Sequence, residues 1–121
     1  MALMIVSVGE VDYRIVTVEQ GQTSSAHAVR ADTGERFGIE ATAASVEEAQ
    51  QALVRWLEWQ HEHTQALETL QQAERVYHRA MAGAAFASAD AVPADDARSA
   101  LEQVNAAREI LDQVRARRPN V

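Results

Sequence analysis

Residues 45–83 read SVEEAQQALVRWLEWQHEHTQALETLQQAERVYHRAMAG. From 46 to 82 the chain has neither proline nor glycine, so these 37 residues predict a single α-helix, about 55 Å long at 1.5 Å per residue. Ser45 and Glu48 have the spacing of a capping box, which predicts where the helix begins. Gly83 can take the left-handed conformation that commonly follows a helix, so the long helix is predicted at 45–83.

Apolar side chains divide this predicted helix into two parts. In its first third they surround most of the circumference, and a sheet can cover only one side of such a surface. We therefore predict that this part packs on a sheet and that copies of the chain associate through it and through the second face of the sheet, with the candidate interface residues Leu53, Trp56, Leu57 and Trp59. Further along, the apolar residues narrow to one stripe that predicts contact with a single helix: Trp59, His63, Ala66, Leu67, Leu70, Ala73, Tyr77 and Met81.

A second helix is predicted at 93–118. Pro93 suits its first turn, Pro119 follows its end, and apolar residues recur every three or four positions from Ala97 to Val114. Residues 84–92 form a connection of small residues, which is short enough to predict an antiparallel helical hairpin. Closing this hairpin would bring Arg115, Arg117 and Arg118 beside Trp59, Glu58 and Glu62.

Residues 1–42 carry the signals of a small antiparallel sheet. Apolar and polar residues alternate at 11–18, 25–31 and 36–41, and turn-forming residues separate these runs at 19–22 and 32–35. Residues 3–8 can add a fourth strand, with Gly9 and Glu10 as a tight turn or a bulge, so three or four strands are predicted. The fold is therefore predicted to be a single α+β domain, 1–121, with an antiparallel β-meander followed by a long helix and a second helix that form the hairpin.

A meander followed by a helix that begins Ser-x-Glu-Glu-Ala, here Ser45 to Ala49, resembles the small bacterial β-β-β-α domains that include the HicB-like antitoxins. The resemblance covers about 45 residues and consists of element order and the capping box. It implies a fold and carries no function across.

The composition excludes several kinds of partner and chemistry. The net charge is −7, whereas a nucleic-acid-binding surface needs an excess of positive charge, so no nucleic-acid partner is expected. The chain has no cysteine, which excludes disulfides and thiolate sites. The apolar residues 1–8 lack the basic segment of a signal peptide and are too short to span a membrane. We expect an acidic cytoplasmic protein with no membrane partner, and the use of arginine without lysine is typical of a GC-rich bacterial genome.

One segment of the long helix has the spacing of a metal-binding motif. Glu58 and His61 form Glu-x-x-His, which occurs in di-iron bundles, but such a site needs two copies and two further glutamates. Helical periodicity places Glu58, His61 and Glu62 towards solvent and His63 on the apolar stripe. No metal site is therefore predicted within one chain. His63 is expected to pack on Trp59 or, alternatively, to bind a metal shared by two chains.

The candidates for lining a ligand site are Tyr13, His27, His63 and Glu74. Glu74 lies within the apolar stripe, where an unpaired carboxylate is costly to bury. We expect it either to pair with His78 or Arg108 or to lie at a partly exposed edge of the stripe, and we expect His27 to be an ordinary sheet residue. No nucleotide-binding loop, nucleophile motif or second acid accompanies these residues, so neither catalysis nor a cofactor is predicted.

These features predict a non-enzymatic interaction, structural or adaptor protein that acts as a homo-oligomer, with a homodimer as the commonest form and another protein as a further partner. The alternative is a small-ligand or metal-binding protein with a site between sheet and helix or at the seam of a dimer. Convergence separates the two, because a ligand site needs several polar groups directed at one cavity.

Overall fold

The computed structural model of the chain describes residues 4–86 and 94–120. Four strands come first: β1 (Met4–Val8), β2 (Val11–Gln20), β3 (Thr23–Arg30) and β4 (Arg36–Ala43). Two helices follow, α1 (Val46–Phe86) and α2 (Ala94–Ala116). The predicted α+β class is confirmed, with four strands rather than three. Most of the predicted connection at 84–92 lies outside the described residues.

The four strands form one antiparallel sheet in the order β1-β2-β3-β4, which is the predicted meander. Gly9 and Glu10 join β1 to β2, with φ angles of 57° and 67°. Two consecutive residues with positive φ are typical of a type I′ turn, whose twist matches that of the flanking strands. Val8 pairs directly with Val11 across this turn, so the hairpin has a two-residue loop.

One face of the sheet packs against the first part of α1. The side chains of Tyr13, Ile15, Ala26, Ala28 and Ala41 are buried there together with Ala49, Leu53, Trp56 and Leu57 of the helix. Residues between them on the strands, such as Val16, are exposed. The predicted alternation along the strands therefore separates a covered face of the sheet from an exposed one.

The register of β3 against β4 shifts next to His27, which pairs with Glu40, whereas Ala28 pairs with Phe37. Gly38 and Ile39 are therefore extra residues on β4 and form a bulge. An insertion of two residues leaves the alternation of faces unchanged, so the bulge is invisible in the apolar pattern.

The start of α1 agrees with the predicted cap, because the Glu48 backbone N–H donates a hydrogen bond of 3.2 Å to Ser45 Oγ. Its end does not lie at Gly83: the helix continues to Phe86, and Gly83 is a helical residue rather than a left-handed one. The surrounding alanines explain the difference, since alanine is the best helix former and a single glycine inside a helix costs only about 1 kcal/mol.

Contacts divide the chain into two compact units, Met1–His61 with Arg118–Val121, and Glu62–Arg117. In the second unit α2 runs antiparallel to the second part of α1, because Arg117 lies 3.7 Å from Glu62 while Ala100 and Ala80 line a common groove. The buried side chains of α2 are Ala100, Val104, Ala107, Leu111 and Val114. They are members of the stripe predicted to face the long helix.

Candidate functional site

Three of the four predicted interface residues are buried within the chain itself. Leu53, Trp56 and Leu57 are 0%, 6% and 2% exposed, in the core that α1 forms with the sheet. Their spacing of three and four residues places them on one face of the helix, which one sheet can cover. The fold of a single chain therefore already buries the apolar surface of these three side chains.

Trp59, the fourth predicted interface residue, lies at the edge of that core and is half-buried. The guanidinium carbon of Arg118 lies 5.5 Å from the centre of its ring, a distance typical of a cation–π contact. The predicted proximity of Arg118 to Trp59 is confirmed, as is that of Arg117 to Glu62.

The candidates for a ligand site lie apart within each of the two units. Tyr13 is buried beneath α1 and stacks on Phe37 with ring centres 5.4 Å apart, whereas His27 lies on the opposite face of the sheet because it alternates with the buried Ala26 and Ala28. His63 and Glu74 belong to the second unit and are separated by eleven positions of α1, about 16 Å along the helix. Within each unit, the two candidates therefore lie too far apart to form one site.

His63 lies beside a cation, whereas Glu74 lies without an ion pair among the described residues. Arg115 Nε lies 3.5 Å from His63 Nε2, and a neighbouring guanidinium opposes the binding of a second cation there. Glu74 is half-buried and has no salt bridge among the described residues, so the expected pairing with His78 or Arg108 is not formed. Its position corresponds to the partly exposed edge of the stripe.

The Glu-x-x-His segment also forms no metal site. Glu58 is exposed, and Glu62 faces Arg117. His61 is half-buried rather than fully solvated, because its ring lies over the backbone of Gly9, where an added Cβ would be 2.2 Å from Cε1. In the described part of the chain no three His, Asp or Glu side chains are grouped so that they could hold a metal ion.

The face of the sheet turned away from α1, which we call the open face, carries an apolar patch. Ile5, Val16 and Val18 are 57%, 38% and 41% exposed. Ile5 pairs with Arg14 on β2, so Val16 is its diagonal neighbour, within reach of side-chain contact. The sequence does not single out these residues, because apolar and β-branched side chains occur on both faces of β2.

Charges of both signs surround this patch on the open face. Asp12 and Arg14 lie on β2, and Arg36 and Glu40 lie on β4 with a salt bridge of 2.9 Å. Arg36, together with a hydrogen bond from Ser25, holds the pKa of Glu40 below its ordinary value. The contact is exposed to solvent, so it orders the two side chains more than it stabilises the fold.

The edge of the sheet formed by β4 has residues of the C-terminal segment beside it. Ile39, Glu40, Arg118, Pro119 and Asn120 line a cavity of about 460 Å³. In the second unit two open grooves of about 370 Å³ and 380 Å³ lie between α1 and α2 and share Val76 and Gln103. None of these cavities contains a residue that the sequence predicted for ligand binding.

The buried indole N–H of Trp56 has no hydrogen-bond partner among the described residues. An unpaired buried donor costs about 1–3 kcal/mol, and sequence reasoning gave no signal for it. Trp56 lines none of the three cavities above, so its N–H does not extend a ligand site.

Comparison with known proteins adds no assignment: no protein-family model matches the chain, and neither a curated protein nor a solved structure matches it. Neither α1 nor α2, as far as the structure describes them, has an apolar stretch long enough to cross a membrane.

Proposed function

We propose that this chain is a non-enzymatic interaction protein that acts as a homo-oligomer, in its simplest form a homodimer, and that it associates through its sheet. The observation that carries this proposal is the apolar patch of Ile5, Val16 and Val18 on the open face. Contiguous exposed apolar side chains with a polar surround are typical of protein interaction sites. The buried positions of Leu53, Trp56 and Leu57 favour the sheet over the long helix as the associating element.

The charges of the open face favour a second copy of the chain as the partner. Asp12 and Glu40 balance Arg14 and Arg36, so these four side chains sum to zero, whereas the whole chain carries −7. Two copies that meet at the sheet therefore bring together balanced charges rather than the excess negative charge of the remaining surface. An isologous dimer requires such a self-complementary surface.

The dispersed polar residues support an interaction role over a catalytic or ligand-binding one. Tyr13 and His27 lie on opposite faces of the sheet, and His63 lies beside a guanidinium. The proposed setting is the bacterial cytoplasm, in keeping with the absence of cysteine and the exclusive use of arginine. The strongly acidic balance supports a protein rather than a nucleic acid as any further partner.

Sedimentation equilibrium over a range of protein concentrations tests this proposal. One chain has a mass of 13.3 kDa, and we expect the mean mass to rise towards twice this value as concentration increases. Ile5→Asp places a charge in the patch and should weaken association. Ile110→Asp is the matched control, since Ile110 is 52% exposed against 57% for Ile5 but lies on α2.

The proposal fails if the wild-type chain keeps the mass of a monomer at every concentration. It also fails as a proposal about the sheet if Ile110→Asp weakens association as much as Ile5→Asp does. Both variants should retain the helix and strand content of the wild type, which circular dichroism measures.

A further inference from the structure

We infer that two copies of the chain join through β1, which pairs antiparallel with β1 of a second copy to give a continuous eight-stranded sheet. This inference rests on the proposed homo-oligomer, and it assigns the contact to the edge of the sheet beside Ile5, while Val16 and Val18 on the open face stay outside the contact. β1 is the first strand in the sheet order, and in the described part of the chain no strand pairs with its outer side.

The two edges of the sheet differ in their protection. Edge strands are commonly kept from pairing by charged residues, bulges or a covering segment, and β4 has all three: Arg36 and Glu40, the bulge at Gly38, and the residues 118–120 beside it. β1 reads MIVSV and has no charged residue and no proline, and its register with β2 is regular. In the part of the chain that the structure describes, β1 has no charged residue, no bulge and no strand beside its outer edge, so it is the edge open to pairing.

The covered face of the sheet is also incomplete at β1. Met4, Val6 and Val8 pack against the core but remain half-buried, whereas Tyr13 and Ile15 on the adjacent strand are buried. A further strand beside β1 would cover their exposed sides. The same strand of a second copy carries the matching alternation of apolar residues on the same face.

The turn at Gly9 and Glu10 determines which backbone groups are free. In a two-residue hairpin the residues that flank the loop exchange both backbone hydrogen bonds, and successive pairs alternate between bonded and non-bonded. Val8 and Val6 therefore direct their N–H and C=O groups to β2. Ser7 and Ile5 direct theirs to the free edge.

Several symmetric registers match outward groups with outward groups, and the one that uses both Ile5 and Ser7 of each copy forms the most hydrogen bonds within residues 4–8. It pairs Ile5 with Ser7 of the second copy, which places Val6 opposite Val6 at the twofold axis and Met4 opposite Val8. Four inter-copy hydrogen bonds then form, and no charged side chains face one another. Ile5 of each copy lies beside the seam, so the apolar patches of the two open faces become continuous.

A proline at position 5 separates edge pairing from contact through the side chain. Ile5→Pro removes an outward N–H, and by symmetry two of the four inter-copy hydrogen bonds, without removing a bond to β2. We expect the dissociation constant to rise roughly tenfold or more. Ile5→Thr keeps the N–H and the β-branched shape, and we expect a change of less than about threefold.

Cysteine crosslinking supplies a second test, because the natural chain contains no cysteine. In the inferred register the two Val6 residues form a non-bonded pair with Cα atoms about 4.5 Å apart, within the range of a disulfide. Oxidised Val6→Cys should therefore run as a covalent dimer on a non-reducing gel. Val16 lies on the open face of β2, which is separated from the second copy by β1. Val16→Cys should therefore remain a monomer.

The outcomes distinguish this inference from the proposed function. A wild-type chain that is monomeric at all concentrations overturns both. Three results would overturn the edge pairing but not the homo-oligomer. The wild-type dimer could be unaffected by Ile5→Pro, or it could be weakened equally by Ile5→Thr. The third such result is crosslinking through Val16→Cys and not through Val6→Cys.

Discussion

The ring of Trp56 lies against the backbone of Gly38, so closely that a Cβ added to Gly38 would be 2.4 Å from Cζ3 of the indole. The bulge in β4 and the helix packed above it thus fit together at one glycine. Trp56 also contacts Phe37, with ring centres 6.2 Å apart, and this aromatic contact anchors α1 to the edge of the sheet opposite β1.

Gly38→Ala should destabilise the protein more than Gly34→Ala does. Both residues have positive φ, 84° and 75°, so alanine adds a similar backbone strain of about 1–2 kcal/mol at each position. Only position 38 adds a clash with Trp56, because an added Cβ at position 34 meets nothing within 4 Å. We expect Gly38→Ala to cost about 1–3 kcal/mol more in the free energy of unfolding, measured in urea. Equal losses would show that the ring does not lie on Gly38.

Leu111→Ala and Ile110→Ala test the packing of α2 with two adjacent residues. Leu111 is 2% exposed and Ile110 is 52% exposed. We expect Leu111→Ala to lower the free energy of unfolding by about 2–5 kcal/mol, through lost burial and the cavity that remains. Ile110→Ala should change it by about 0.5 kcal/mol or less. A comparable effect of both substitutions would mean that α2 presents a different face to α1.

Trp56→Phe should cost less than its loss of volume suggests. The smaller ring removes apolar contacts, but it also removes an indole N–H that is buried without a partner, and an unpaired donor costs about 1–3 kcal/mol. We expect the two effects to offset each other to within about 1 kcal/mol in urea unfolding. Leu53→Ala, in the same core, is the comparison and should cost about 2–5 kcal/mol. If Trp56→Phe costs as much as Leu53→Ala, the N–H has a partner in solution.

Glu40 should contribute a small, pH-dependent stability. Its contact with Arg36 and the hydrogen bond from Ser25 lower its pKa in the folded state below the ordinary 4.5. The folded state therefore binds the proton less readily than the unfolded state, so the contribution is present above pH 4.5 and is lost as the pH falls through the lowered pKa. The difference in melting temperature between the wild type and Glu40→Gln should shrink on acidification and with added salt.

Glu19→Gln is the control for this titration. Glu19 is exposed on β2 and has no ion pair in the described part of the chain. The difference between its melting temperature and that of the wild type should not follow the Glu40 profile. A Glu40→Gln difference that stays constant from neutral pH to well below 4.5 would contradict the stabilising contact.

Local sequence signals predict most of the fold. The capping hydroxyl of Ser45, the turn at Gly9 and the alternation along β2 each depend on neighbours in sequence, and all three are formed. The continuation of α1 through Gly83 is not predictable from the glycine alone, because glycine is the usual C′ residue, whereas the helix propensity of the surrounding alanines continues the helix here.

The candidate site was harder to predict because exposure depends on packing between distant elements. Apolar residues around the first part of α1 suggest more apolar surface than a sheet can cover. The sheet nevertheless buries Leu53, Trp56 and Leu57, and the exposed apolar patch lies on the open face of the sheet. The bulge in β4 inserts two residues, so the side chains before and after it keep alternating between the same two faces. The apolar pattern of the sequence therefore does not reveal the bulge. That no described strand pairs with the outer edge of β1 follows only from the order of strands in the sheet.

Amide hydrogen exchange of β1, resolved by residue and followed over protein concentration, tests the pairing of two copies most directly. The amides of Val6 and Val8, bonded to β2 within one chain, should exchange slowly at every concentration. Those of Ile5 and Ser7 should exchange rapidly in dilute solution and become protected as the dimer forms. Ile5 and Ser7 amides that exchange rapidly at a concentration where sedimentation shows a dimer would contradict association through β1.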